Sequence, residues 1–160
     1  MDLGLNGTRA IVTGGSRGIG RTIAETLIAE GGHVAICGRN EETLDATVAS
    51  LGSRATGRVV DVSDHEALTA WVDASAEAMG GLDIVISNAS ALGGPPDTPD
   101  KWRTVFETDV LSTVSLVDAA TPHLEASGIG SIVQLGTITA VDGDTWTVAT
   151  QDGAQVTVLL

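Results

Sequence analysis

The 160-residue sequence contains no tyrosine, one phenylalanine, one cysteine (Cys37) and one lysine (Lys101). Each scarcity closes a route. Without tyrosine, no phenol can pass a proton in any reaction. A task that needs a lysine ammonium falls on Lys101 or on nothing. A lone cysteine forms no internal disulfide and suits a reducing compartment, so the expected location is cytoplasmic. Apolar runs last only a few residues, so none reads as a membrane-spanning helix. The opening MDLGLNGTRA lacks the basic-then-apolar layout of a secretory signal. Basic residues are also few, 8 against 21 acidic, for a net charge of −13. That field repels phosphates and anionic lipid, so neither nucleic acid nor membrane is an expected partner. An anionic ligand would need a local device to hold it. Otherwise the acidity reads as a solvated surface. His33, His65 and His123 fall on three segments without metal-ligand spacing, so no metal is expected.

What is present alternates. Arg9–Thr13 is a short apolar run, read as a buried strand. Residues 17–30 carry Ile19, Ile23, Ala24, Leu27 and Ile28 at helical spacing, with Gly31-Gly32 as a stop. His33–Cys37 is a second strand, Glu41–Leu51 a helix, and Gly57–Val62 a third strand. Ser63-Asp-His-Glu66 reads as a capping box opening a helix to Met79. Leu82–Ile86 is a fourth strand. ALGGPPDTP is a Gly/Pro-rich loop, and Thr98-Pro99 is an N-cap and first-turn pair. The helix that follows reaches about Ala126, with a bend or break expected at Pro122. Gly130–Leu135 is a fifth strand. This alternation predicts an α/β fold, a parallel sheet with helices on both faces, in one domain over residues 1–160.

Between the first strand and first helix lies Thr13-Gly14-Gly15-Ser16-Arg17-Gly18-Ile19-Gly20. Glycines there permit a tight turn and close approach of backbone to a pyrophosphate, and the helix end supplies free N–H groups and positive dipole. A plain strand-to-helix turn is the blander reading, weakened by the strand before and helix after.

With its TGxxxGxG pattern at Thr13, Gly14, Gly18 and Gly20, the chain resembles the short-chain dehydrogenase/reductase family. Asp61-Val62 matches the family's acidic turn after the third strand, which faces adenine. Ser87-Asn88-Ala89-Ser90 matches its NNAG turn imperfectly. Trp102, Val105 and Leu111 fit the next helix, and GSIVQL fits the fifth strand. The match runs to about residue 138, and is loosely nearest the 3-oxoacyl-carrier-protein-reductase type. It implies a Rossmann-type, doubly wound sheet of five strands in the order 3-2-1-4-5. It also implies a nicotinamide dinucleotide held by Thr13, Gly14, Ser16, Arg17, Gly18, Ile19, Gly20, Asp61, Val62, Asn88 and Ala89. The second strand ends in Cys37-Gly38-Arg39-Asn40, with no carboxylate for ribose hydroxyls. Arg39 and Arg17 could grip a 2′-phosphate, which favours NADP(H) over NAD(H). Two ordinary surface arginines are the alternative.

The resemblance also says where chemistry belongs: a carbonyl is reduced, or an alcohol oxidised, by hydride transfer. The family's supporting Asn falls on Asp109, which equally reads as an exposed helix carboxylate. Its substrate-holding Ser falls on Thr137, whose hydroxyl equally reads as a local backbone partner. The Tyr-x-x-x-Lys pair falls on Asp152 and Val156. An aspartate with a pKa near 4 is a poor proton donor at neutral pH. Val156 cannot bind ribose, and Lys101 precedes the fifth strand.

The closing ATQDGAQVTVLL is β-branched and interrupted by Gly153, a poor helix but a fair hairpin about Gln151-Asp152-Gly153. Three readings stay open: an NADP(H)-binding oxidoreductase whose catalysis is doubtful in this chain, an inactive nucleotide-binding or scaffold protein, and a gene fragment cut short by an early stop or frameshift. A fifth strand left at an edge, and the helix of residues 99–126 without its usual neighbour, would favour a homo-oligomer.

Overall fold

The computed structural model describes residues 3–91 and 97–135, and the backbone of residues 137–142, 145–149 and 155–159. Five parallel strands form one sheet in the order β3-β2-β1-β4-β5. They are β1 (Arg9–Val12), β2 (His33–Gly38), β3 (Ala55–Val59), β4 (Ile84–Ser87) and β5 (Ser131–Gln134). Between them run α1 (Gly18–Ala29), α2 (Glu41–Leu51) and α3 (His65–Met79). Between β4 and β5 lie α4 (Pro99–Val105), a π-helical segment (Phe106–Leu111) and α5 (Ser112–Ser127).

Parallel strands are buried on both faces, and side chains alternate between them. Ala10, Val12, Val34, Ile36 and Ile86 join Ala24 and Leu27 of α1 and Leu44 and Leu51 of α2. Ile11, Ala35, Cys37 and Val85 join Leu68, Trp71, Val72 and Ala76 of α3 and Leu116, Ala120 and Leu124 of α5. The sheet thus separates two apolar clusters, each roofed by a helix pair. At its edge, all four residues of β5 are exposed.

The N-terminal ends of β1 and β4 are fastened by charge. Arg9 donates from Nη2 to Asp83 Oδ1 at 2.6 Å and from Nε to Asp83 Oδ2 at 2.8 Å, and its Nη1 donates to Gly80 O at 2.5 Å. The Asp83 carboxyl is held down at about 2, chiefly by the Arg9 side chain, against the upward push of burial. Gly81 lies under the Arg9 guanidinium, where an added Cβ would collide with it.

Strand ends shift by one or two residues, β4 running from Ile84 to Ser87 rather than from Leu82 to Ile86, and three further differences have local causes. β3 begins at Ala55, because Val34 pairs with that residue, and it leaves the ladder after Val59, before Asp61. The cap of α3 is Asp64, whose carboxylate accepts from the Ala67 N–H at 3.0 Å. Ser63 instead gives its hydroxyl and its N–H to Asp61 Oδ1. The long helix runs through Pro122 without a break, and its irregularity is the π segment. The cap at Thr98 forms as expected, accepting from the Lys101 N–H, and Asn40 caps α2 by accepting from the Thr43 N–H.

The last strands form a separate antiparallel sheet, β6 (Thr137–Asp142), β7 (Thr145–Ala149) and β8 (Gln155–Leu159), in that order. β7 and β8 pair as the expected hairpin, with Trp146 opposite Val158 and Val148 opposite Val156. Val156 therefore lies in a strand, and Asp152, like the rest of the expected hairpin turn, is outside the described residues. The third strand, β6, is not foreseen from sequence, and Thr137 opens it.

Candidate functional site

The C-terminal ends of β1, β2, β3 and β4 surround a cleft of about 640 Å³. Ligands of open α/β sheets bind outside these strand ends. The floor comes from the turn after β1. Gly14 has φ +64°, a left-handed conformation that an L side chain resists. Gly15 N–H donates to Cys37 O at 3.1 Å, and the buried Thr47 of α2 holds its hydroxyl 2.9 Å from Ser16 O, so β2 and α2 anchor the turn. Gly20 packs where an added Cβ would meet Asn88 Nδ2 and come within 2.5 Å of Gly14 O.

α1 starts at the cleft with Arg17 as N-cap, in extended conformation and with no side-chain cap. The first-turn N–H groups are thus left to a ligand or water, at the positive end of the helix dipole. Gly14, Ser16, Arg17, Gly18 and Ile19 all line the cleft.

One side wall is the end of β2 with the start of α2, namely Gly38, Arg39, Asn40 and Thr43. Beside it stand Val60, Asp61 and Val62, with the Val60 N–H donating to Gly38 O at 3.1 Å. Partial burial pushes the Asp61 carboxyl up, but the Ser63 hydroxyl and N–H and the charge of Arg39 outweigh it and hold the group below its usual range. Arg39 and Asp61 thus act on each other across this end. Cys37 also reaches the cleft, yet burial pushes its thiol up to about 12, so it remains protonated and unreactive at neutral pH.

The far wall follows β4. Thr13 Oγ1 accepts from the N–H groups of Asn88 and Ala89 at 2.9 and 3.0 Å, and lies 3.4 Å from Ile86 O, to which it donates. Asn88 Nδ2 donates to Thr13 O at 2.8 Å and to Gly14 O at 3.2 Å. Thr13, Gly20 and Asn88 therefore join the glycine turn to the β4 loop from beneath, and Asn88, Ala89, Ser90 and Thr108 face the cleft.

Asp109 sits in the π segment and is 6% exposed. It is not the exposed helix carboxylate that the sequence allowed. Its Oδ2 accepts from Ser90 Oγ and its Oδ1 from the Ala91 N–H, each at 2.8 Å. π turns insert a residue into a helix and often mark functional places. Nearby, Thr113 Oγ1 lies 3.0 Å from Asp109 O, 3.0 Å from Ser87 Oγ and 3.2 Å from Gln134 Oε1. Its single proton serves one acceptor at a time, so this hydroxyl ties the π segment to β4 and β5 by sharing. Thr137 opens β6, and Lys101 lies on exposed α4, paired with Asp97 at 2.8 Å.

Of the sequence-derived residues, Gly14, Ser16, Arg17, Gly18, Ile19, Arg39, Asp61, Val62, Asn88 and Ala89 meet around one cleft. Asn40, Thr43 and Thr108 were missed. Asn40 and Thr43 follow Arg39 at the opening of α2, and that helix start was the available signal. His65 Nε2 lies 3.7 Å from Glu107 Oε2, and His123 Nε2 lies 2.8 Å from Asp73 Oδ1. Among the described residues no group of three His, Cys, Asp or Glu could hold a metal ion, and no helix is long and apolar enough to cross a membrane.

The sequence model of the short chain dehydrogenase family matches residues 8–149. Isoepoxydon dehydrogenase of Penicillium expansum is 38% identical over 139 residues, which are 83% of this chain and 53% of that protein. Gluconate 5-dehydrogenase of Gluconobacter oxydans is 36% identical over 137 residues, 82% of this chain and 54% of that protein. The chain thus spans about half the length of these curated relatives. A short chain dehydrogenase from Burkholderia cenocepacia, solved in complex with NADP, superposes with a TM-score of 0.76 at 39% identity, covering 83% of this chain and 56% of that one. L-Sorbose reductase from Gluconobacter frateurii, complexed with NADPH and L-sorbose, gives 0.80 at 32% identity, covering 86% and 55%. With its strand order, glycine turn and cleft all in this pattern, the chain belongs to the short-chain dehydrogenase family of oxidoreductases.

Proposed function

We propose that this chain binds NADP(H), in preference to NAD(H), as the nucleotide-binding part of an oxidoreductase acting on a carbonyl or alcohol. The observation that carries the reading is the cleft itself. Arg17 and Arg39 both line it, beside an uncapped helix start and a glycine turn. A guanidinium pairs well with a phosphate, and the end of β2 offers no carboxylate to repel one. In a chain of net charge −13, two arginines on one cleft are a local reversal of sign. Solved relatives of this fold hold NADP and NADPH.

In this arrangement the α1 start and Gly14 to Ile19 receive the pyrophosphate, Arg17 and Arg39 the 2′-phosphate, Asp61 and Val62 the adenine, and Asn88 and Ala89 the nicotinamide-side ribose. Bound there, the nicotinamide would supply hydride chemistry. The protein would orient the dinucleotide and exclude water from one of its faces.

Proton transfer is the missing part. The 160 residues contain no tyrosine, and the one lysine lies on α4. Thr137 keeps a hydroxyl at the substrate-oxygen position and Asp109 takes the supporting-amide position; both assignments belong to this proposal. Without the Tyr-x-x-x-Lys pair, the purified chain is expected to reduce ketones at background rate while still binding NADPH. Clear turnover, with contaminating enzyme excluded, would contradict that part. We propose further that α4, the π segment and α5 form a homo-oligomer contact, since Trp102, Phe106 and Val114 are each more than half exposed there.

A further inference from the structure

Ser90 and Asp109 are 19 residues apart in sequence and belong to different elements, yet they are bonded. The Asp109 carboxylate is buried and accepts from two donors on one loop, the Ser90 hydroxyl on Oδ2 and the Ala91 N–H on Oδ1. An ionised carboxylate only accepts, so each oxygen taken out of water calls for a donor. The Ser90 side chain supplies one such donor, and an alanine there would not.

The bonds bridge two pieces of the cleft wall. Ser90 lines the cleft from the β4 loop, and Thr108, next to Asp109, lines it from the π segment. The same stretch is already tied, through Asn88 and Ala89, to Thr13. Residues 88–91 are thereby pinned on two sides, to the glycine turn and to the π segment. We propose that Ser90 and Asp109 act as one positioning pair, which fixes the β4 wall of the cleft in the shape that receives a dinucleotide. Neither residue needs to touch the reacting atoms. This inference rests on the dinucleotide reading of the cleft.

The test uses the full chain with Ser90→Ala, Ser90→Thr, Asp109→Asn and the Ser90→Ala/Asp109→Asn double variant. Three quantities are read: NADPH affinity, amide hydrogen exchange at Ala91 without nucleotide, and the unfolding midpoint. Ser90→Ala is expected to weaken NADPH binding by about three- to tenfold and to speed Ala91 exchange by a similar factor, the net size expected for one hydrogen bond. Ser90→Thr keeps a hydroxyl and should restore both. The double variant should be no worse than the worse single one, because the two residues form one unit. A hydroxyl that is only structural would lower the unfolding midpoint and leave the affinity of the folded chain unchanged. That result, additive penalties, or wild-type exchange at Ala91 in Ser90→Ala would each overturn the proposal. If the unaltered chain binds neither NADPH nor NADH, the dinucleotide reading fails, and the pairing of Ser90 with Asp109 is still decided by Ala91 exchange.

Discussion

Under the proposed function, cofactor choice turns on Arg39. It stands at the end of β2, lines the cleft and acts by charge on Asp61, at the end of the neighbouring strand. Replacing it by alanine removes one charge-assisted contact to a 2′-phosphate and leaves the contacts common to both dinucleotides. NADPH affinity should fall about tenfold or more while NADH affinity stays near its starting value, as two parallel titrations would show. Gly20 makes a different demand. Its place against Asn88 and Gly14 leaves no room for a methyl group. Gly20→Ala should cost roughly 1–3 kcal/mol in urea unfolding and weaken NADPH binding, because the Asn88 bonds to Thr13 and Gly14 must shift. Both residues were legible from sequence, since a glycine spacing and an arginine after a strand are local signals. Ser90 was not. Its hydroxyl looked like an imperfection in the turn, and its partner lies on a helix whose inward face no periodicity identifies. The burial of Asp109 depends on a π turn, and no spacing of apolar residues announces one.

At the scale of elements, the fastening of β1 to β4 by Arg9 and Asp83 is open to a pH test. An unfolded aspartate titrates near 3.9, whereas Asp83 in the fold sits at about 2. Its folded-state value is depressed, so its contribution is fully present above pH 4 and is lost as pH falls from about 4 towards 2. Asp83→Asn should destabilise the chain at pH 7 by roughly 2 kcal/mol, with the gap from wild type closing over that window. Urea unfolding at several pH values measures it; a gap that does not change with pH would contradict the account. The five parallel strands and their helices were readable because most apolar runs ended at a glycine or a capping residue. The break allowed at Pro122 does not occur, since α5 continues through it. Proline costs a helix one hydrogen bond, which α5 absorbs, while the π segment needs no proline to form. β6 escaped notice because its alternation is short and follows directly after β5.

The whole molecule pairs an acidic surface with a cleft of opposite character. It also exposes Trp102, Phe106 and Val114 along α4, the π segment and α5, and the full width of β5. Sedimentation over a range of concentrations should therefore reveal self-association, reduced by Trp102→Ser with Phe106→Ser. A monomer at every concentration would remove the proposed contact. The central proposal is that the cleft selects the dinucleotide that carries a 2′-phosphate. Fluorescence titration of the purified chain with NADPH and, side by side, with NADH tests it most directly. The account predicts saturable binding of both, with NADPH the tighter by about tenfold, as expected for a paired phosphate charge. Equal affinities, or no binding of either, would contradict it.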